Sequence, residues 1–301
     1  MNPPLRRLAR GVAGAVVFAL LGTAAGCAQE DPAAGQGAPP IGALLPVGDL
    51  RTFSLPLDPY LIGPDQTRPI SQATEALARS CMLRFGFDMP PSPVIPAPYT
   101  RHERRYGLID AAAAAVDGYR PSKAIAAGGR KPERAPFSAA AQAVVTGNGP
   151  KVHNGLAVPD GGCMGEARRR LEEGIGKVSQ PDLAEQLSRD SYARSQEDDR
   201  VVQAFGRWSE CMSRAGFDYT DPHQAINDPG WQGDRPGERE IATALADARC
   251  KKEVDLVAIW ATVETAYQQQ AVQRHGEALR EIAQALQTRL TNAARIVVEL
   301  G

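Results

Sequence analysis

The chain has 301 residues, with 34 Lys plus Arg against 35 Asp plus Glu and a formal net charge of −1. That length allows one large or two small cores. The near-neutral balance gives no global attraction for polyanions and excludes nucleic acid as an expected partner. Alanine is abundant, aromatic residues make up only 6%, and 24 prolines and 29 glycines must sit mostly in connections. These features predict a mostly α-helical fold with proline- and glycine-rich loops.

Arg6, Arg7 and Arg10 precede an apolar and small-residue run from Gly11 to Ala25. A basic segment followed by a short apolar one reads as a secretory signal, too short for a mature spanning helix. The run ends in Ala24-Ala25-Gly26-Cys27, which resembles the lipobox of bacterial lipoproteins, with Ala24 where leucine is usual. The resemblance implies that Cys27 is lipidated and becomes the first mature residue. It also implies that membrane lipid is a partner and that the protein sits on the extracytoplasmic face of the cell membrane. An ordinary signal peptide cut near Ala25, or an uncleaved anchor, is the alternative. Removing residues 1–26 takes away three arginines and no carboxylate, leaving 31 basic against 35 acidic residues, a net charge of −4. No later apolar run reaches spanning length.

Residues 27–46 read as a flexible tether and 47–301 as a disulfide-stabilised helical domain, with a division near 180 giving two halves. Residues 47–69 are extended, offering Leu50, Phe53, Leu55, Leu57, Tyr60 and Leu61 to a core between prolines. A helix is expected from Ser71, because Ile70, Ala73, Leu77, Cys81 and Phe85 recur at helical spacing until Gly86. Prolines 90, 91, 93, 96 and 98 enforce an irregular path. Asp110 is placed to cap a short helix from Ala111, and Ala135–Val145 suggests another. Val152–Gly155 and Pro159–Gly162 are turn signals.

A helix follows from Cys163 through Leu171 and Ile175, and others over 182–193 and 198–215. The last carries Val201, Phe205, Trp208 and Met212 on one face. From Glu238 to Leu300 little breaks a helix except Gly276. One unbroken rod would be about 90 Å long. An antiparallel pair breaking within Gln268–Gly276 is therefore expected, with a single long arm as the alternative.

Cys81-Met-Leu-Arg-Phe-Gly-Phe-Asp88 and Cys211-Met-Ser-Arg-Ala-Gly-Phe-Asp218 agree at six of eight positions. Each reads as a helix end in which arginine suits the negative terminus, glycine the left-handed cap and phenylalanine the returning apolar contact. With Cys27 assigned to lipid, Cys81, Cys163, Cys211 and Cys250 remain, an even number that suggests two disulfides in an exported chain. Three pairings are open. Cys81–Cys163 with Cys211–Cys250 keeps each bridge within its own half. Segments 81–88, 161–166, 208–218 and 247–250 resemble uncharacterised secreted lipoproteins of actinobacteria. That resemblance implies no catalytic residues.

No GxSxG, SxxK, P-loop, GxGxxG or HExxH pattern occurs, and no cysteine–histidine spacing suits zinc, so neither a cofactor nor a metal is expected. His102 lies in the charged run 101–105 and reads as exposed, while Trp208 and Trp260 read as core. Candidate ligand contacts are Arg84, Asp88, Arg214 and Asp218 in the repeated signature, His153 and His223 in turns, and Trp231 in a glycine-flanked loop. The expected function is non-enzymatic binding of an envelope protein, a peptide or a wall component. A wall-acting hydrolase with a dispersed site and assembly through the C-terminal helices are the competing readings.

Overall fold

The computed structural model describes residues 37–91, 100–120, 137–232 and 235–300. The signal segment, Cys27, the tether up to residue 36, the prolines from 93 to 98 and residues 121–136 lie outside them. Helix α1 (Pro64–Arg84) starts seven residues before Ser71. Pro64 is preset for the first helical position, and Gln66 Oε1 accepts from the Gly63 amide at 2.8 Å. Pro69 removes only one backbone bond close to the helix start, so the helix runs through it. Asp110 caps α2 (Ala111–Asp117) by accepting from Ala112 N and Ala113 N, and Ser138 caps α3 (Ala139–Thr146). Strands β1 (Val152–His153) and β2 (Leu156–Ala157) pair antiparallel, Val152 opposite Ala157 and His153 opposite Leu156. Both turn residues, Asn154 and Gly155, have positive φ, as a tight two-residue hairpin demands.

The remaining helices are α4 (Gly162–Leu171), α5 (Leu183–Glu197), α6 (Asp199–Arg214), α7 (Pro222–Ile226), α8 (Glu238–Glu253), α9 (Leu256–Arg274) and α10 (Gly276–Leu300). The long C-terminal helical pair is present, and its break falls at His275, within the expected window. A second interruption, at Val254–Asp255, was not legible. Asp255 adopts a left-handed φ of 53° there without being glycine. Helix α9 is the central helix, packed by α5, α6 and α8. The stripe Leu279, Ile282, Leu286, Ala293 and Ile296 on α10 turns to α1, α4 and the 3-10 turn Asp58–Tyr60. This stripe is therefore covered by the chain itself.

Residues Ala38–Gly301 form one compact unit, in which helices from both sides of residue 180 interleave. The described end of the expected tether is docked. Pro39 is buried and its carbonyl accepts from Arg200 Nη1 at 3.0 Å, Ile41 packs against the core cluster that includes Val201 and Trp260, and Leu45 N donates to Thr262 Oγ1 at 2.9 Å.

Two long connections, 47–61 and 100–110, lie against this bundle with little secondary structure of their own. Buried side chains on α8 and α9 supply the hydrogen bonds their backbones and polar groups require. Glu264 is fully buried and accepts from Tyr106 Oη at 2.8 Å, Gln268 Nε2 at 2.8 Å and Arg105. The other end of the Gln268 amide accepts from Leu57 N at 3.0 Å. Glu240 receives Tyr119 N and Arg120. Lys251 bridges Asp247 at 2.9 Å and the Leu108 carbonyl at 3.1 Å, while Trp208 Nε1 donates to Asp247 at 2.9 Å.

His102, expected at the surface, is buried. Its Nε2 lies 2.8 Å from Asp58, and the Phe53 ring meets it edge-on. Burial alone would push the Asp58 carboxyl up. Hydrogen bonds from His102 and the Leu55 amide, with Arg101 beside them, outweigh burial and hold it below its usual range.

Because Glu264 is buried with Arg105 on it, Glu264→Ala leaves a largely buried guanidinium, and the donors of Tyr106 and Gln268, without their carboxylate. We expect a loss of about 3–5 kcal/mol in urea unfolding. A loss below about 1 kcal/mol would show that the carboxylate does not hold these connections.

Candidate functional site

The two copies of the repeated signature build the same clasp. Cys81 bonds to Cys163 and Cys211 to Cys250, so α1 is joined to α4 and α6 to α8. One turn beyond each cysteine the partnership recurs as an ion pair: Arg84 with Glu166 at 2.6 Å, and Arg214 with Glu253 at 2.8 Å. All four charged residues stand three positions after a bridged cysteine, which puts them on the bridged face of their helices.

Each signature also closes its helix in the same way. Gly86 and Gly216 have φ of 81° and 87°. Phe87 N donates to Met82 O and Phe217 N to Met212 O, both at 3.0 Å, while the glycine amides reach the carbonyls of Leu83 and Ser213. This is the Schellman arrangement, in which the phenylalanine folds back onto the helix. Arg84 and Arg214 are engaged in these ion pairs and so contribute to the clasps.

What covers each cap differs. At the first, the β1–β2 hairpin lies over it: Asn154 Nδ2 donates to the Phe85 carbonyl at 3.2 Å, and the His153 ring stacks tilted on Phe87 at 4.9 Å. Asp88 is exposed. At the second, the chain turns into α7 and leaves a shallow depression of about 580 Å³, lined by Asp218, Tyr219, Asp221, His223, Asn227 and Asp228 among others. Of the four charged signature residues, only Asp218 lines it.

The depression's acidic groups also hold the loop together. Asp221 caps α7 through His223 N and Gln224 N, and Asp228 accepts from Tyr219 Oη at 2.5 Å and Gly230 N at 2.6 Å. The hydrogen bonds from Tyr219 and Gly230 hold Asp228 below the usual carboxylate range, while burial and Asp228 together push Tyr219 up to about 12. The His223 ring turns inward, edge-on to Trp260 at 5.7 Å, with Nε2 buried. Burial and the nearby Lys251 charge depress its pKa against the opposing pull of Asp221. Trp231 is half-buried: its Nε1 donates to the Ala225 carbonyl at 2.7 Å and its ring stacks on Tyr119.

The structure thus gathers Asp218 and His223 at one depression and keeps Arg84, Asp88 and His153 at the other clasp. The buried polar groups on α8 and α9 escaped the sequence reading. Their signal was a charge interrupting an apolar face, such as Glu264 four residues after Trp260, or a pair such as Asp247 and Lys251 spaced i,i+4. Among the described residues, no group of three or more His, Cys, Asp or Glu side chains is placed to hold a metal ion, and no helix is long and apolar enough to cross a membrane. No protein-family model, curated protein or solved structure matches the chain.

The clasp ranks its own parts. The bridges close loops of 82 and 39 residues, so replacing either cysteine pair by serine should cost about 2–5 kcal/mol. Arg84→Ala or Arg214→Ala breaks an exposed ion pair and should cost below about 1 kcal/mol in the same denaturant titration. The opposite ranking would refute this account.

His223 generates a pH dependence. Its folded pKa lies below the ordinary 6.5, so the unfolded chain takes up the proton first. The stabilisation is complete above 6.5 and is lost as pH falls through the folded value. Thermal melts between pH 7.5 and 5 should show a steeper loss in the native protein than in His223→Gln. Parallel curves would contradict the assignment.

Proposed function

We propose that this chain is a membrane-tethered extracytoplasmic protein, anchored through lipid on Cys27, that acts by non-enzymatic binding within the cell envelope. The order of basic, apolar and small segments ending at Cys27 carries this reading. The disulfides support it: they use the other four cysteines, so Cys27 has no cysteine partner left in its own chain. Two internal bridges also suit an oxidising compartment outside the cytoplasm.

The binding role draws on how the polar groups are spent. Asp221 and Asp228 at the second clasp fix backbone amides, and the His223 ring is turned toward Trp260. His102 hydrogen-bonds Asp58, but as a buried latch between two connections. The depression beside α7 offers an acidic, tyrosine-bearing surface for a basic or hydroxyl-rich group on an envelope protein, a peptide or a wall component.

Mass spectrometry of the native N-terminus tests the tether. The expected first residue is an acylated Cys27, and Cys27→Ala should move the protein from the membrane fraction to the soluble one. An unmodified start at any other residue overturns the anchor. Turnover of a wall substrate by the pure protein would overturn the non-enzymatic role.

A further inference from the structure

We infer that the Asn148–Gly149 step is a modification site, at which the chain forms a succinimide and loses ammonia, and that the fold withholds the same reaction from Asn154–Gly155. Both steps lie on the segment between α3 and α4. The chemistry needs no partner molecule but water. The amide nitrogen of the glycine attacks Cγ of the asparagine, a C–N bond forms, and the Cγ–Nδ2 bond breaks. The glycine's amide proton passes through solvent to the departing nitrogen, which leaves as ammonia. Water then opens the ring at either carbonyl, giving aspartate or isoaspartate. Glycine favours the attack because no Cβ crowds its nitrogen.

Asn148 is free to take up the reactive geometry. It is exposed, and its backbone N–H donates to Thr146 Oγ1 at 3.3 Å. Among the described residues, its side-chain amide and the Gly149 N–H have no hydrogen-bond partner, so electrophile and nucleophile are both unengaged. Asn148 belongs to no helix or strand, and its φ is not left-handed. Rotation about its Cα–C bond, which brings Gly149 N toward Cγ, therefore breaks no ladder or helix bond. The fold also demands the reactive glycine. A Cβ at position 149 would stand 2.5 Å from Ala143 Cβ on α3, so a side chain does not fit there.

Asn154 is exposed too, so exposure does not separate the two steps; hydrogen bonding and backbone conformation do. The Asn154 Nδ2 is tied to the Phe85 carbonyl at 3.2 Å. Its left-handed φ of 49° and the positive φ of Gly155 make a type I′ turn, in which the amide after the asparagine points away from the asparagine's Cβ. The pairs Val152–Ala157 and His153–Leu156 hold that turn, so Gly155 N reaches Cγ only if the hairpin opens. The difference protects the first clasp. A carboxylate in place of the Asn154 amide would face the Phe85 carbonyl with no donor between them.

Peptide mass mapping of the native protein, sampled over time in mildly alkaline buffer, tests this. Trypsin cuts after Lys151, so the two steps leave on separate peptides. The mass gain of an amide NH exchanged for oxygen should appear on the Asn148 peptide several-fold faster than on the Asn154 peptide, with aspartate and isoaspartate both present. In the reduced chain in urea the two peptides should react at comparable rates. Equal rates in the native protein, a faster Asn154, or the same rate ratio in urea as in the native protein would overturn the inference. So would an Asn148 peptide that stays unmodified in the native protein while reacting in urea. Asn148→Gln should remove the gain from its peptide. A gain that persists in this variant would belong to Gln142 and overturn the site as well.

Discussion

The buried carboxylate of Glu264 is the constraint around which the bundle is organised. A fully desolvated charge is tolerated only when paired and hydrogen-bonded, and Glu264 receives Arg105, Tyr106 and Gln268 at once. Those partners come from an otherwise irregular connection and from the next turn of α9. Gln268 passes the constraint to the Leu57 amide, so one carboxylate fixes two connections against the central helix. Glu240 and the Asp247–Lys251 pair repeat the device along α8. Burial pushes the Asp247 carboxyl up, and Lys251 and Trp208 counter it. The order of a proline-rich chain thus comes from the helices it lies on rather than from its own secondary structure.

The two clasps solve a different problem. The buried residues that α1, α3 and α4 bring to their common cluster are alanine, valine, cysteine and methionine, and its aromatic rings, Phe85, Phe87 and Phe137, come from the flanking chain. A bridge between buried cysteines stabilises such a joint mainly by restricting the unfolded chain, so it does not depend on how much area the helices bury. The neighbouring Arg–Glu pairs are largely exposed and set the register of the joint more than its strength. Both copies share the glycine cap and returning phenylalanine. Beyond the phenylalanine the two copies diverge. One cap is sealed by a hairpin, and the other opens beside an acidic depression.

That divergence explains which candidate residues were legible. The glycine at the end of each signature announced the left-handed cap, because few other residues adopt it without strain. His153, Trp231 and His223 were readable as ring-bearing residues in loops. Their actual partners, Phe87, Tyr119 and Trp260, are 66, 112 and 37 residues away in sequence. No local pattern states such distances, and His102 shows the cost. A charged run from 101 to 105 reads as a solvated surface, yet Asp58 and Glu264 wait for two of its members in the interior.

By itself the sequence determined the helical class, the ends of the signature helices and the break near Gly276, and it left three cysteine pairings open, of which the structure forms Cys81–Cys163 and Cys211–Cys250. It did so because periodicity, caps and breakers act within a few residues, whereas a disulfide joins residues far apart in the chain. Only the tertiary structure decided that α10 covers α1, that Pro39 is pinned by Arg200, and that the carboxylates of α8 and α9 hold the connections. Those choices depend on which distant group can satisfy a buried donor or charge, a condition that exists only once the helices have packed.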